Sequence, residues 1–232
     1  MCPSPPLESL RQIRERKLCP LPVASFTGRR DILDKMQTYF DTDSESQRIF
    51  VLYGLGGTGK SQLAFKFIDE SQKAKRYCFD EVTTDERLTN PFFSFSDIFY
   101  VDATNEQTIQ TDLEAIIPGN AERSVDAGLR WFAKQPNGNW LIYFDNADDV
   151  NLKLKKFFPP CESGNILVTT RNRELRHYTG RDADANVIGM DHEDATTLLL
   201  HQARAEGSDE NKALAEEIVQ VLLWSLPHCV RV

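Results

Sequence analysis

Residues Gly54-Leu55-Gly56-Gly57-Thr58-Gly59-Lys60-Ser61 satisfy the pattern G-x-x-x-x-G-K-[ST]. They stand between an apolar run, RIFVLY at 48–53, and a helical pattern that begins at Lys60. A strand that runs into a glycine loop and then a helix constrains the chain strongly. The glycines let backbone N–H groups converge on an anion without side-chain obstruction, at a helix N-terminus whose dipole already favours negative charge. In that setting Lys60 is expected to reach the β and γ phosphates of a nucleotide and the Ser61 hydroxyl to ligate Mg²⁺. Gly54, Gly56, Gly57, Thr58 and Gly59 would form the phosphate cradle, with Gln62 next on the helix. A chance glycine turn is the bland alternative; four specified positions arise on the order of 1 time in 100 at average composition, and the flanking pattern lowers that further.

The remaining chain repeats the alternation. Ile32, Leu33, Met36 and Phe40 recur at helical spacing after Gly28, and Lys60 to Glu70 reads as a helix. Strands are expected at 97–102 (DIFYVD), 140–144 (WLIYF), 165–169 (NILVT) and 186–190 (NVIGM), with helices at 106–117 and 125–134. Short apolar strands alternating with amphipathic helices imply a parallel sheet covered on both faces, a doubly wound α/β domain. That domain is placed at 22–190, after a proline-rich lead-in at 1–21. Only helical patterns follow Met190, so 191–232 reads as the start of a helical unit.

Ligands of such sheets bind beyond the carboxyl ends of the strands. There the third strand runs into Asp145-Asn146-Ala147-Asp148-Asp149, and Asp145 is expected to hold Mg²⁺ through water opposite Ser61. A helix cap is the alternative for Asp145. The fourth strand ends in Thr169-Thr170-Arg171, which places Arg171 to offer a guanidinium to a γ-phosphate, or to be an ordinary solvated side chain.

Composition narrows the partners. The chain has 232 residues, is 41% hydrophobic and 27% charged, and carries a net charge of -8; a surplus of acid argues against a broad nucleic-acid footprint. Its five cysteines form no C-x-x-C pair, so neither a zinc site nor a disulfide framework is indicated. No apolar stretch approaches the roughly 20 residues that span a bilayer. The expectation is a cytoplasmic protein without membrane or nucleic-acid partners.

Together these residues resemble the NB-ARC branch of the STAND class of P-loop NTPases, the family of plant resistance proteins, animal apoptosome scaffolds and many fungal receptors. The similar motifs run in order: Phe26-Thr27-Gly28-Arg29, the P-loop, LIYFDNADD, ILVTTR, the helix of MDHEDATTLLLHQA, and Leu226-Pro227 in place of GLPL. The resemblance implies a P-loop NTPase fold with strand order 5-1-4-3-2, adenine held near Phe26 and Arg29, and Pro227 closing over the base. It implies a switch in which ADP holds a closed form and exchange for ATP opens the protein for assembly into a homo-oligomeric ring. It also makes Arg171 the γ-phosphate reader, beside Lys60 and Asp145 as the residues of any hydrolytic chemistry.

Two departures bear on activity. The family's second acid, expected to orient attacking water, is Asn146 here, and Asp148 or Asp149 lies two or three residues too far along for an easy substitute. The chain also reads as breaking off inside the GLPL-like motif, so the winged-helix and sensor portions of such proteins are expected to be missing. The segment at 77–94, YCFDEVTTDERLTNPFFS, has no periodic pattern; it reads as a surface insertion or as a translated, in-frame retained intron, which genomic DNA lacking GT and AG at its ends would exclude. Three functions follow: an ADP/ATP-binding switch module with slow hydrolysis at most, an active P-loop ATPase, or a truncated inactive decoy. A GTPase would carry N-K-x-D after the fourth strand, which is absent, and although Gly54, Gly56 and Gly59 have the G-x-G-x-x-G spacing of a Rossmann dehydrogenase, the loop runs on into Lys60-Ser61, the phosphate-loop pair.

Overall fold

The computed structural model describes residues 16–42, 46–77, 95–117, 123–135, 138–205 and 207–229, without the side chains of 75–77 and 223–229. The element order is α1 (Arg30–Asp41), β1 (Arg48–Tyr53), α2 (Lys60–Tyr77), β2 (Ile98–Asp102), α3 (Glu106–Ala115), α4 (Val125–Ala133), β3 (Leu141–Asp145), β4 (Asn165–Thr170), β5 (Asp184–Asn186), α5 (His192–Ala203) and α6 (Asp209–Cys229). The five strands form one parallel sheet in the order β2-β3-β4-β1-β5. From the other edge this is 5-1-4-3-2, the expected order.

Every residue of β3 and β4 is buried, as a central parallel strand requires when helices cover both faces. Successive side chains alternate between two cores. Leu52, Tyr143 and Leu167 face Met36 and Phe40 of α1 and Leu63 and Phe67 of α2. Val51, Ile142, Phe144 and Val168 face Ile109 and Leu113 of α3 and Leu129 and Phe132 of α4. The four periodic residues of the first helix, Ile32, Leu33, Met36 and Phe40, are all buried on one side of it. Side-chain caps set the starts of the next helices: Asn105 and Thr108 form a capping box on α3, and Ser124 and Asp191 cap α4 and α5.

Three elements depart from expectation. The fifth strand is Asp184–Asn186 and not 186–190, because only Val51, Leu52 and Tyr53 remain to pair with it at the sheet edge. The chain leaves the sheet after Val187, whose N–H bonds the carbonyl of Tyr53 at 2.7 Å, and its apolar run goes on to wall a pocket instead. Helix α2 extends to Tyr77, beyond Glu70; residues 78–94, the core of the insertion, lie outside the described residues. Finally, the last part of the lead-in lies against the domain. Arg16 donates to the Ile98 carbonyl and sits 4.2 Å above the Phe99 ring, Lys17 pairs with Asp112 at 2.9 Å, and Cys19 packs on the core. Among the described residues, no helix is long and apolar enough to cross a membrane.

Candidate functional site

Parallel order and register bring the carboxyl ends of β1, β3 and β4 side by side: Tyr53 pairs with Thr170, and Phe144 with Val168. The loop from Gly54 to Gly59 lies over this edge. Gly57 and Gly59 have φ of 79° and 87°, the left-handed region, and open space above both Cα atoms. That conformation suits glycine and gathers backbone N–H groups into an anion-binding concavity. The Lys60 ammonium donates to the carbonyls of Gly54 at 2.9 Å and Leu55 at 2.7 Å. Burial lowers its pKa, and Arg171 adds to this; Asp148 and then Asp145 act in the opposite direction.

Asp145, at the end of β3, receives hydroxyls from four elements. Its Oδ1 accepts from Ser61 at 2.8 Å, Tyr143 at 2.7 Å and Thr169 at 2.6 Å, and its Oδ2 accepts from Tyr100 at 3.3 Å. Burial and the Asp145 charge both raise the phenol pKa values of Tyr100 and Tyr143, so the two rings stay protonated donors at neutral pH. The same two causes push the Cys19 thiol up to about 12, which leaves it a poor nucleophile. Asp145→Ala would remove the carboxylate that accepts from the buried hydroxyls of Tyr143 and Thr169, leaving a 3.4 Å contact between the two to replace two short bonds. It is expected to cost about 1–3 kcal/mol per unpaired group; an unchanged urea midpoint would show that this network adds nothing.

Just past Asp145, Asn146 adopts φ 64°, a left-handed turn that an Asn or Asp side chain tolerates. Its N–H donates to the Thr169 hydroxyl at 2.9 Å, so Thr169 links the turn to the Asp145 carboxylate. The Asn146 amide reaches Thr104 at 3.3 Å. At the end of β4, Arg171 is held by Asp148: its N–H meets Oδ1 at 2.6 Å and its Nε meets Oδ2 at 2.8 Å.

Two cavities meet at the loop. One, of about 350 Å³, is lined by Gly56, Lys60, Ser61, Asn146, Thr169 and Arg171. The other, of about 340 Å³, is walled by Phe26, Arg29, Thr58, Val187, Met190 and Leu198. Gly59 and Gln62 line both, so a site for an anionic group at the loop adjoins one for a flat apolar group. The Gln62 side chain also accepts from the Val23 N–H at 2.9 Å, which ties the segment just after the lead-in to this wall. Arg29 donates from its guanidinium to Ile188 and from its backbone N–H to Asp194 of α5. The structure thus brings together Gly54, Gly56, Gly57, Thr58, Gly59, Lys60, Ser61, Gln62, Asp145 and Arg171, with Phe26 and Arg29 in the adjoining cavity. Pro227 falls within α6, and its side chain lies outside the described residues.

Sequence reading missed Tyr100, Tyr143, Thr169 and the pairing of Asp148 with Arg171. One signal was there: Tyr143 stands two residues before Asp145, on the same face of the strand.

No protein-family model matches the chain. It is 23% identical over 230 residues to a nucleotide-binding leucine-rich repeat (NLR)-like protein from Hyaloscypha variabilis, a match that covers 86% of this chain and 21% of that relative. The chain therefore spans about a fifth of the length of the curated relative it matches. Among solved structures, the Drosophila ORC bound to DNA is similar with a TM-score of 0.55 at 12% identity, over 89% of this chain and 52% of that one. A signal transduction ATPase with numerous domains (STAND) from Pyrococcus horikoshii, with a tetratricopeptide repeat sensor, gives a TM-score of 0.48 at 18% identity, over 87% and 29%. The fold is that of a P-loop NTPase with a five-stranded parallel sheet, and the sequence likeness is to a protein described as NLR-like.

Proposed function

We propose that this domain is a molecular switch that binds ADP or ATP with Mg²⁺ and hydrolyses ATP slowly at most. The observation that carries this reading is the apolar cavity lined by Thr58 and Gly59 of the phosphate loop, which shares Gly59 and Gln62 with the cavity at Lys60 and Ser61. Adenine would lie between Phe26, Arg29 and Met190, with Pro227 as a further candidate. The loop glycines, Thr58 and Lys60 would cradle the phosphates. Ser61 and Asp145, in contact at 2.8 Å, fit a Mg²⁺ that keeps most of its water and draws few protein ligands. Bound there, Mg²⁺ would neutralise charge on the β and γ phosphates. Tyr143, Thr169 and Tyr100 hold the carboxylate in place toward that position.

Slow hydrolysis follows from the groups around the γ-phosphate position. Asn146 offers an amide where a water-orienting acid is needed, and both oxygens of Asp148 are engaged by Arg171. Asn146→Asp restores an acid that tolerates the same left-handed turn. It is expected to raise phosphate release at least about tenfold, given the 10²–10⁴ range for a placed general base. Equal rates in both proteins, or robust Lys60-dependent release from the unaltered chain, would sink the switch-only reading.

The relative's printed description as NLR-like supports a role in signalling, in which each nucleotide biases a conformational equilibrium by its differential affinity for two forms. In this reading 22–190 is the nucleotide-binding part, 191–232 begins a helical subdomain, and ATP favours a homo-oligomer in the cytoplasm. The net charge of -8 speaks against a nucleic-acid partner, although the ORC neighbour is described bound to DNA. A thermal shift with saturating ADP separates the switch from an inactive decoy, since a ligand of the native state raises apparent stability.

A further inference from the structure

We propose that Asp148 is a built-in counter-ion that sets the preference of this site between a nucleoside triphosphate and a diphosphate, by competing with the γ-phosphate for Arg171 and Lys60. The inference rests on the reading of Arg171 as the γ-phosphate reader and names what regulates it. Asp148 takes Arg171 with both carboxylate oxygens, one on the backbone N–H at 2.6 Å and one on Nε at 2.8 Å. The guanidinium lies directly over the phosphate loop: a Cβ on Gly56 would stand 3.0 Å from Cζ and 3.3 Å from Nη1. Among charges, Asp148 is also the one that acts most strongly on Lys60, ahead of Asp145.

These groups are not equally placed. Arg171 keeps 63% of its side chain exposed, whereas Asp148 keeps 23%, so the acid is the more desolvated partner and its field is the less screened. Asp145 differs, because it would face Mg²⁺. The ion pair that Asp148 makes is with Arg171, a cation that a γ-phosphate would need. A triphosphate therefore meets cations already partly neutralised, and it feels the repulsion of Asp148 directly. A diphosphate ends short of Arg171 and shares only the weaker, unbonded influence of Asp148 on Lys60. The consequence is a site biased toward ADP, and a resting form that one carboxylate helps to maintain.

The test is a calorimetric comparison of Mg·ADP and Mg·AMP-PNP binding to the whole chain and to Asp148→Asn, Asp148→Ser and Arg171→Ala, each checked by thermal melting. Both Asp148 variants are expected to bind AMP-PNP about three- to tenfold more tightly, with ADP affinity within about a factor of two. The gain should shrink between 50 and 500 mM salt, on the order of the fall in Debye length, a dependence that a merely structural role would not produce. Arg171→Ala should lose affinity for AMP-PNP and not for ADP. If it does so while the Asp148 variants bind AMP-PNP equally or more weakly, the counter-ion proposal is overturned and the γ-phosphate reading stands. If Arg171→Ala loses neither nucleotide or both alike, the γ-phosphate reading falls and takes the proposal with it.

Discussion

Lys60→Ala is expected to weaken ADP and ATP binding by roughly 100-fold, about 3 kcal/mol, while leaving the chain folded. The ammonium reaches into the loop and stands on the carbonyls of Gly54 and Leu55. A charge-assisted contact to a phosphate is stronger than a neutral one, and inside a partly buried loop it loses less to water. Its hydrogen bonds to the protein go to two loop carbonyls, one exposed and one half-buried, so their removal costs the fold little. Titration with a fluorescent ADP analogue measures the loss, and circular dichroism checks the fold. Binding that persists at full strength in the folded variant would show that the nucleotide, if any, sits elsewhere.

The second large effect is on stability. Gly164, just before β4, has φ of 99°, and a Cβ there would stand 2.0 Å from Cζ2 and 2.2 Å from Cη2 of Trp140. Trp140 is 1% exposed and packs on Phe132 at a ring separation of 4.9 Å, so it has nowhere to withdraw. Gly164→Ala must therefore strain the backbone and displace a buried ring at once. Overpacking of this kind costs about 1–3 kcal/mol, and the left-handed φ adds about 1 kcal/mol or more. The melting temperature is expected to fall by roughly 10 °C. The site lies at the far ends of β3 and β4, about 15 Å along the strands, so nucleotide affinity below the melting point should change much less than stability. A variant that melts with the unaltered chain would contradict the packing described around Trp140.

How much of this was legible depended on how local each feature is. The phosphate loop was legible because its chemistry demands given residue types in unbroken order between a strand and a helix. Asp145 and Arg171 were legible because each ends an apolar strand, and a parallel sheet presents its strand ends to one edge. The strand order came through the resemblance, since no periodicity can say which strands neighbour each other. The hydroxyls around Asp145 were hidden because Tyr100 and Thr169 reach it across the sheet, 45 and 24 residues away in the chain. The ion pair of Asp148 with Arg171 spans 23 residues and joins two loops that only the fold brings together. At the fifth strand, the apolar run of Val187 to Met190 carried the signal of a strand but not its use. Val187 is buried and Met190 half-buried on a cavity wall while Ile188 is exposed, a use that the apolar pattern alone cannot tell from a strand in a sheet.

The claim on which the rest depends is that an adenine nucleotide sits on this loop. It is tested most directly by denaturing the purified protein, identifying any released nucleotide by chromatography, and then loading nucleotide-stripped protein with Mg·ADP. The account predicts ADP in near-stoichiometric amount, or uptake of ADP by the stripped chain with a rise in melting temperature, and from Lys60→Ala the same uptake only at roughly 100-fold higher ADP. A folded chain that releases no adenine nucleotide and shows no uptake and no stabilisation at saturating ADP would contradict it.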